Sequence, residues 1–243
     1  MTLARSARLA FLGAVLVTIT TAYGKAEPPP NFRAYYSAHA GSVRVAESVV
    51  VLEHNGSQRF TYRSVTKPVG LLAVFRSDEV TEHSVWTLHR DRIRPLEYRY
   101  IHKRSKKDRD VFLDFDWSEG QVANTAEGHT WTMAIPEGTL DKFSVRLAVM
   151  MDLAAGVEPP LEYPIADGGK LKHYRFAALG TERVRTPAGE FEALKLQRLR
   201  DRDKDRETYF WCAPALDYLL VRLEHVDEDG HRYYLELDRV EGL

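Results

Sequence analysis

The chain has 243 residues, 44% of them hydrophobic and 28% charged, a globular composition with enough apolar material for a core of its own. Its formal net charge of −1 excludes the strongly basic balance that sequence-independent nucleic-acid binding draws on. A single cysteine, Cys212, excludes an intrachain disulfide, and its apolar neighbours Phe210, Trp211 and Ala213 favour a buried structural thiol over a reactive one.

The chain opens on a leader. Arg5 and Arg8 form a basic start, residues 9–19 are a largely apolar run, and Ala22 and Gly24 place small side chains before Lys25. This is the pattern of a secretory signal peptide over residues 1–24. A run of eleven residues is too short for a bilayer core, which takes about 20, so no transmembrane segment is expected after cleavage. No cysteine stands at the cleavage point to take a lipid. Without Arg5 and Arg8 the chain carries 32 basic and 35 acidic residues. Residues 25–31 are a polar, proline-rich lead-in, expected to be extended.

From residue 32 the pattern has period two. Phe32, Ala34 and Tyr36 alternate with polar positions, and residues 43–52 continue in the same style, as half-buried strands do. Asn55-Gly56 between two such runs is a strong hairpin signal, which also accounts for the Asn55-Gly56-Ser57 sequon. Lys67-Pro68-Val69-Gly70 reads as a turn before a strand at residues 71–75. Further strands are expected at 85–88, at 96–101 with Pro95 at the strand start, and at 110–117, with Glu119-Gly120 and Glu127-Gly128 as hairpin tips. Short turns throughout imply an antiparallel meander.

One segment breaks the pattern. Spacing predicts a helix over residues 139–156, with Thr139 as N-cap, Asp141 in the first turn and Gly156 just past the end, before Pro159-Pro160. At 100° per residue Leu140, Phe143, Leu147, Met150 and Met151 fall on one broad apolar face. Val145, Val149 and Leu153 form a second, narrower one, so the helix is expected to be touched on both sides. The broad face either closes a core or covers an apolar cavity, where methionine gives an adaptable surface. Strands then resume at residues 171–184, 191–199, 208–212, 218–226 and 231–240, joined by Asp167-Gly168-Gly169, Pro187-Ala188-Gly189 and Asp229-Gly230. Residues 200–207, alternating in sign, read as a solvated hairpin end.

Three stretches of this second half resemble the DUF3108 family, exported bacterial envelope proteins of unsettled function. They are Leu140-Asp141-Lys142-Phe143-Ser144 with Leu153-Ala154-Ala155-Gly156; Thr186-Pro187-Ala188-Gly189-Glu190-Phe191-Glu192-Ala193; and Phe210-Trp211-Cys212-Ala213-Pro214 through Val221-Arg222-Leu223 to Asp229-Gly230. Leu220 departs from the family's usual proline. The resemblance implies a periplasmic location and a mostly antiparallel, curved or spiralling sheet. No fixed-period repeat or internal linker divides the chain, so a single domain is expected over residues 32–243. The resemblance also implies a fold-level likeness to the open half-barrels that carry lipoproteins between membranes. It supplies no catalytic residues. The expected fold is therefore mainly β, a single large antiparallel curved sheet, open barrel or β-spiral, with one helix packed across it.

Chemistry-bearing motifs are sparse. The nine histidines form no recognised metal-ligand spacing, and neither a nucleophile elbow nor a phosphate-binding glycine loop is present. Pairs such as Asp114/Asp116 and Asp227/Asp229 are ordinary on strand surfaces. No cofactor, metal or catalytic residue is therefore expected. The one charge asymmetry lies between residues 90 and 109, where Lys103, Arg104, Lys106, Lys107 and Arg109 could contact an anionic surface; nucleic acid is excluded as a partner by export. Three readings remain. The first is a non-catalytic envelope module binding an apolar or amphiphilic molecule between sheet and helix, with an envelope lipid or protein as partner. The second is an interaction or scaffold protein with a filled core, and the third a hydrolase with dispersed carboxylates.

Overall fold

In a computed structural model the described residues are 27–56, 58–70, 73, 78–104, 108–199 and 206–243. The leader, most of the strand expected at 71–75, Lys106, Lys107 and the hairpin end at 200–205 lie outside them. Alternating apolar residues place most of the fifteen strands where the period-two pattern asks for them; those at 140–141 and 161–167 are not among the expected ones, and Ala73, within the strand expected at 71–75, is helical. The first eight are β1 (Phe32–Ala40), β2 (Val43–His54), β3 (Arg59–Pro68), β4 (Glu79–His89), β5 (Arg92–Lys103), β6 (Arg109–Asp116), β7 (Gln121–Ala126) and β8 (His129–Ala134). After β9 (Leu140–Asp141) and the helix α1 (Val145–Ala154) come β10 (Leu161–Asp167), β11 (Lys170–Thr186), β12 (Gly189–Leu199), β13 (Glu207–Ala213), β14 (Leu219–Val226) and β15 (Arg232–Glu241). All fifteen form one sheet, which runs from β8 back to β1, crosses to β15, and returns down to β9. The pairings are antiparallel, β1 with β15 included, except for β9 with β10.

The helix is shorter than expected. It begins at Val145, and Leu140–Asp141 is a strand pairing with Ile165 and Ala166. Thr139 is not the N-cap; its hydroxyl donates to the Pro136 carbonyl at 2.8 Å. The buried Asp141 carboxylate instead accepts the backbone N–H groups of Phe143 (2.8 Å) and Ser144 (2.7 Å), which bends the chain from strand into helix. The far end is as expected. Gly156, at φ +82°, donates to the Leu153 carbonyl, and Val157 donates to that of Asp152, the two bonds of a Schellman cap. Two prolines sit inside strands. Pro95 lies inside β5 rather than at its start, opposite a register shift between Val85 and Trp86, a bulge being where a strand can lack a donor. Pro164 lies in β10, unheralded in the sequence, which only two residues of β9 cover on one side.

The ends of the sheet, β8 and β9, follow one another in the chain but are not paired, so the curved sheet is not closed. Side chains bridge the seam. Ser84 of β4 donates to Asp141 Oδ2 at 2.7 Å, Lys142 reaches Glu82 at 3.5 Å, and Trp131 of β8 lies against Gly169, where an added Cβ would fall 2.5 Å from the ring. Inside, Trp86 stacks on Phe60 and Phe143 on Tyr62, each at 4.1 Å between centroids.

Candidate functional site: a cavity beneath the helix

Almost all of α1 is buried, including Val145, Leu147, Val149, Met150, Met151 and Leu153. Its two sides meet different surroundings. On one, Leu140, Ala148 and Met151 bound a void of about 30 Å³, room for little more than a water. On the other, Val145, Val149 and Met150 face a cavity of about 350 Å³, within the range of small-molecule pockets.

The sheet supplies the opposite wall. Leu196, Phe210, Leu223 and Leu235 stand side by side across β12, β13, β14 and β15, because period-two alternation in register lines one face of adjacent strands with the same kind of residue. Leu196 is fully buried and the other three are half-buried. Cys212 completes this wall; burial pushes its thiol up to about 12, so it is protonated at neutral pH.

Polar groups line the rest. Tyr36 donates to the Leu220 carbonyl at 2.9 Å, and burial raises its hydroxyl well above the usual value. Burial likewise pushes Tyr62 up to about 12. Glu82 accepts from Tyr98 at 2.8 Å and faces Lys142. Arg146 of α1 and Arg198 of β12 also border the cavity.

The broad helix face expected from the sequence is thus divided. Leu147 and Met150 border the cavity, Leu140 and Met151 the small void, and Phe143 is sealed in the core. The narrower face, Val145 and Val149, contributes to the cavity wall. Tyr36, Tyr62, Arg198 and the leucines of β12 to β15 carry no local signal that separates them from ordinary strand residues.

The other sequence candidates are dispersed. Lys103, Arg104 and Arg109 are exposed near the β5–β6 hairpin. Much of the neighbouring basic excess is neutralised, since Arg99 holds both oxygens of Asp110 (3.1 and 2.6 Å) and Arg94 those of Glu137 (3.1 and 2.9 Å). Asp116 closes a turn by accepting from Ser118 and Glu119, which holds its carboxyl below the usual range. Asp227, Asp229 and His231 bring possible ligand atoms within 4.8 Å of one another. Asp227 Oδ1 there accepts the backbone N–H groups of Asp229 and His231, as an aspartate closing a hairpin does.

A family model described as a protein of unknown function, DUF3108, matches residues 31–238. The chain belongs to the DUF3108 family. Among solved structures the DUF3108 fold is similar to a β-barrel-like protein of the DUF1849 family from Brucella abortus, at 10% identity and a TM-score of 0.55, over 88% of this chain and 98% of that one. Two further matches have TM-scores of 0.36. One, described as exported and YmcC-like, is from Bacteroides fragilis (10% identity, 88% of this chain, 98% of that one). The other, described as a lipoprotein, is from Parabacteroides distasonis (9% identity, 91% and 100%). A comparison with curated proteins finds no match. The likeness to the Brucella protein is one of fold: an open, barrel-like sheet. No helix among the described residues is long and apolar enough to cross a membrane.

Proposed function

We propose that this DUF3108 protein is a non-catalytic module of the bacterial envelope, exported to the periplasm by its leader, which holds an apolar or amphiphilic molecule between sheet and helix. The observation that carries this reading is the cavity of about 350 Å³ with its cross-strand apolar row. A volume of that size lies within the roughly 300–1,000 Å³ of ligand pockets, and two-sided apolar burial of a guest there removes surface from water at about 25 cal/mol per Å². Water finds partners at the tyrosines, Glu82 and the arginines of the rim but not along the row of leucine and phenylalanine, a division that suits an amphiphile.

The test is native mass spectrometry of protein purified from the periplasm. A co-purifying adduct of lipid mass, lost on denaturation, is the expected result. Bare protein from gentle purification, together with no uptake of added amphiphile, would count against it. The scaffold reading requires a filled interior, and the volume against Val149 weighs against that. The exposed Lys103, Arg104 and Arg109 fit the binding reading as a contact to anionic headgroups during transfer.

A further inference from the structure

We infer that the occupant is a single-chain amphiphile with an anionic headgroup, a carboxylate or a phosphate monoester, paired with Arg146 and Arg198. This rests on the binding reading above and adds the ligand's charge and size. On the outer face of the sheet, guanidinium groups stand beside carboxylates: Arg44 beside Asp238 at 3.1 Å, Arg59 beside Glu97 at 3.0 Å, Arg183 beside Glu192 at 3.2 Å. Among the described residues, those at the cavity do not. Arg146 stands over the Phe143 ring, 5.2 Å from its centroid, and near the Tyr36 and Tyr62 hydroxyls, with no carboxylate paired to it among the described residues. Arg198 packs over Tyr174, 3.4 Å from the ring centroid, and hydrogen-bonds its hydroxyl, while its buried Nε has no acceptor. The one carboxylate at the cavity, Glu82, is engaged by Tyr98 and Lys142.

A half-buried guanidinium whose charge meets no carboxylate is costly. Arg146 also stands in the first turn of α1, where the helix dipole disfavours a cation. An incoming anion resolves both, and the planar fork of arginine suits the paired oxygens of a carboxylate or phosphate. Arg146 shares its wall with Val145 and Val149, so a headgroup bound there leaves its chain to run along the row from Leu196 to Leu235. A volume near 350 Å³ is at the lower end of the roughly 300–1,000 Å³ of ligand pockets, which suits one acyl chain rather than several.

The experiment uses the leader-free chain and a neutral apolar fluorophore, N-phenyl-1-naphthylamine. The fluorophore is displaced by submicellar hexadecanoate, hexadecyl phosphate or methyl hexadecanoate. The fluorophore should bind, and at least one anion should displace it about tenfold more tightly than the uncharged ester. The preferred anion distinguishes fatty acid from phosphate headgroup. Arg146→Gln and Arg198→Gln should each weaken the anion about tenfold and leave the ester unchanged, which also shows that the variants are folded. Equal affinity for ester and anions overturns the inference but leaves an apolar binding cavity standing. Failure of folded wild type to take up the fluorophore or any of the three ligands overturns the binding reading itself.

Discussion

Filling the cavity from the helix should leave the protein at least as stable as before while abolishing binding. Val149 and Ala148 are adjacent, both buried, and border different volumes: Val149 the large cavity, Ala148 the void of about 30 Å³. Val149→Phe places its ring in existing volume, and cavity-filling changes commonly gain about 0.5–2 kcal/mol. Ala148→Phe has no such volume and should lose about 1–3 kcal/mol through overpacking. The two therefore differ by about 3 kcal/mol, and at about 2–4 °C per kcal/mol for a chain of this size their melting temperatures separate clearly. Thermal denaturation followed by circular dichroism measures the difference, and fluorophore uptake measures binding, which Val149→Phe alone should remove without cost in stability. If Val149→Phe destabilises as much as Ala148→Phe, that side of the helix is packed, and the argument from volume is wrong.

Asp141→Ala removes the acceptor for two backbone N–H groups and the Ser84 hydroxyl, and should cost about 3 kcal/mol in urea unfolding. Asp141→Asn keeps an oxygen for the N–H groups and an amide for Ser84, so a loss as large as that of alanine would refute the capping role. Burial raises the Asp141 carboxyl, so its proton stabilises the fold in acid, and that contribution is lost as pH rises through the folded value. The asparagine variant should lack this slope. Cys212 is pushed up from 9.0 to about 12; its contribution is present below the unfolded value and falls by about 1.4 kcal/mol by pH 10. The difference in stability between wild type and Cys212→Ala should shrink by that amount between pH 7 and 10, and a constant difference would show the thiol to be solvated. Gly169→Ala, at φ +71° and 2.5 Å from Trp131, should lower stability by about 1–3 kcal/mol. Adding Trp131→Ala should recover the steric part, and additive losses would mean that the two do not meet.

Much of the sheet is legible because a strand's pattern is local. Phe32, Ala34 and Tyr36 are buried in alternation as written, and Asn55-Gly56 turns where expected. The start of the helix is not legible, because Leu140 and Phe143 continue the apolar spacing of Leu147 and Met151 through a strand and a turn. What ends the helix there is Asp141, whose third partner, Ser84, lies 57 residues away, beyond any window of periodicity. The cavity is hidden for the same reason. Leu196, Phe210, Leu223 and Leu235 read as four ordinary strand residues until register aligns them. Arg198, next to the charged run at 200–207, looks like one more solvated charge. The sequence does carry one clue in Val145 and Val149, a second apolar stripe that a helix lying on a single core has no need of.

The helix is also fixed at both ends, by Asp141 before it and the Schellman cap after it, and in between by Tyr163, which donates to Asp152 at 2.7 Å. A segment so held is a poor candidate for a swinging lid, since its movement would break several buried hydrogen bonds at once. The apolar row, by contrast, runs from the fully buried Leu196 to half-buried Phe210, Leu223 and Leu235. An occupant should therefore enter past β13 to β15, with α1 in place. Leu235→Trp, at the more open end of that row, should slow both association and release of the fluorophore in stopped-flow measurements, with a smaller change in Kd. A helix that had to lift would instead make both rates sensitive to Asp141→Asn and indifferent to Leu235→Trp, and that pattern would reverse the assignment of the entrance.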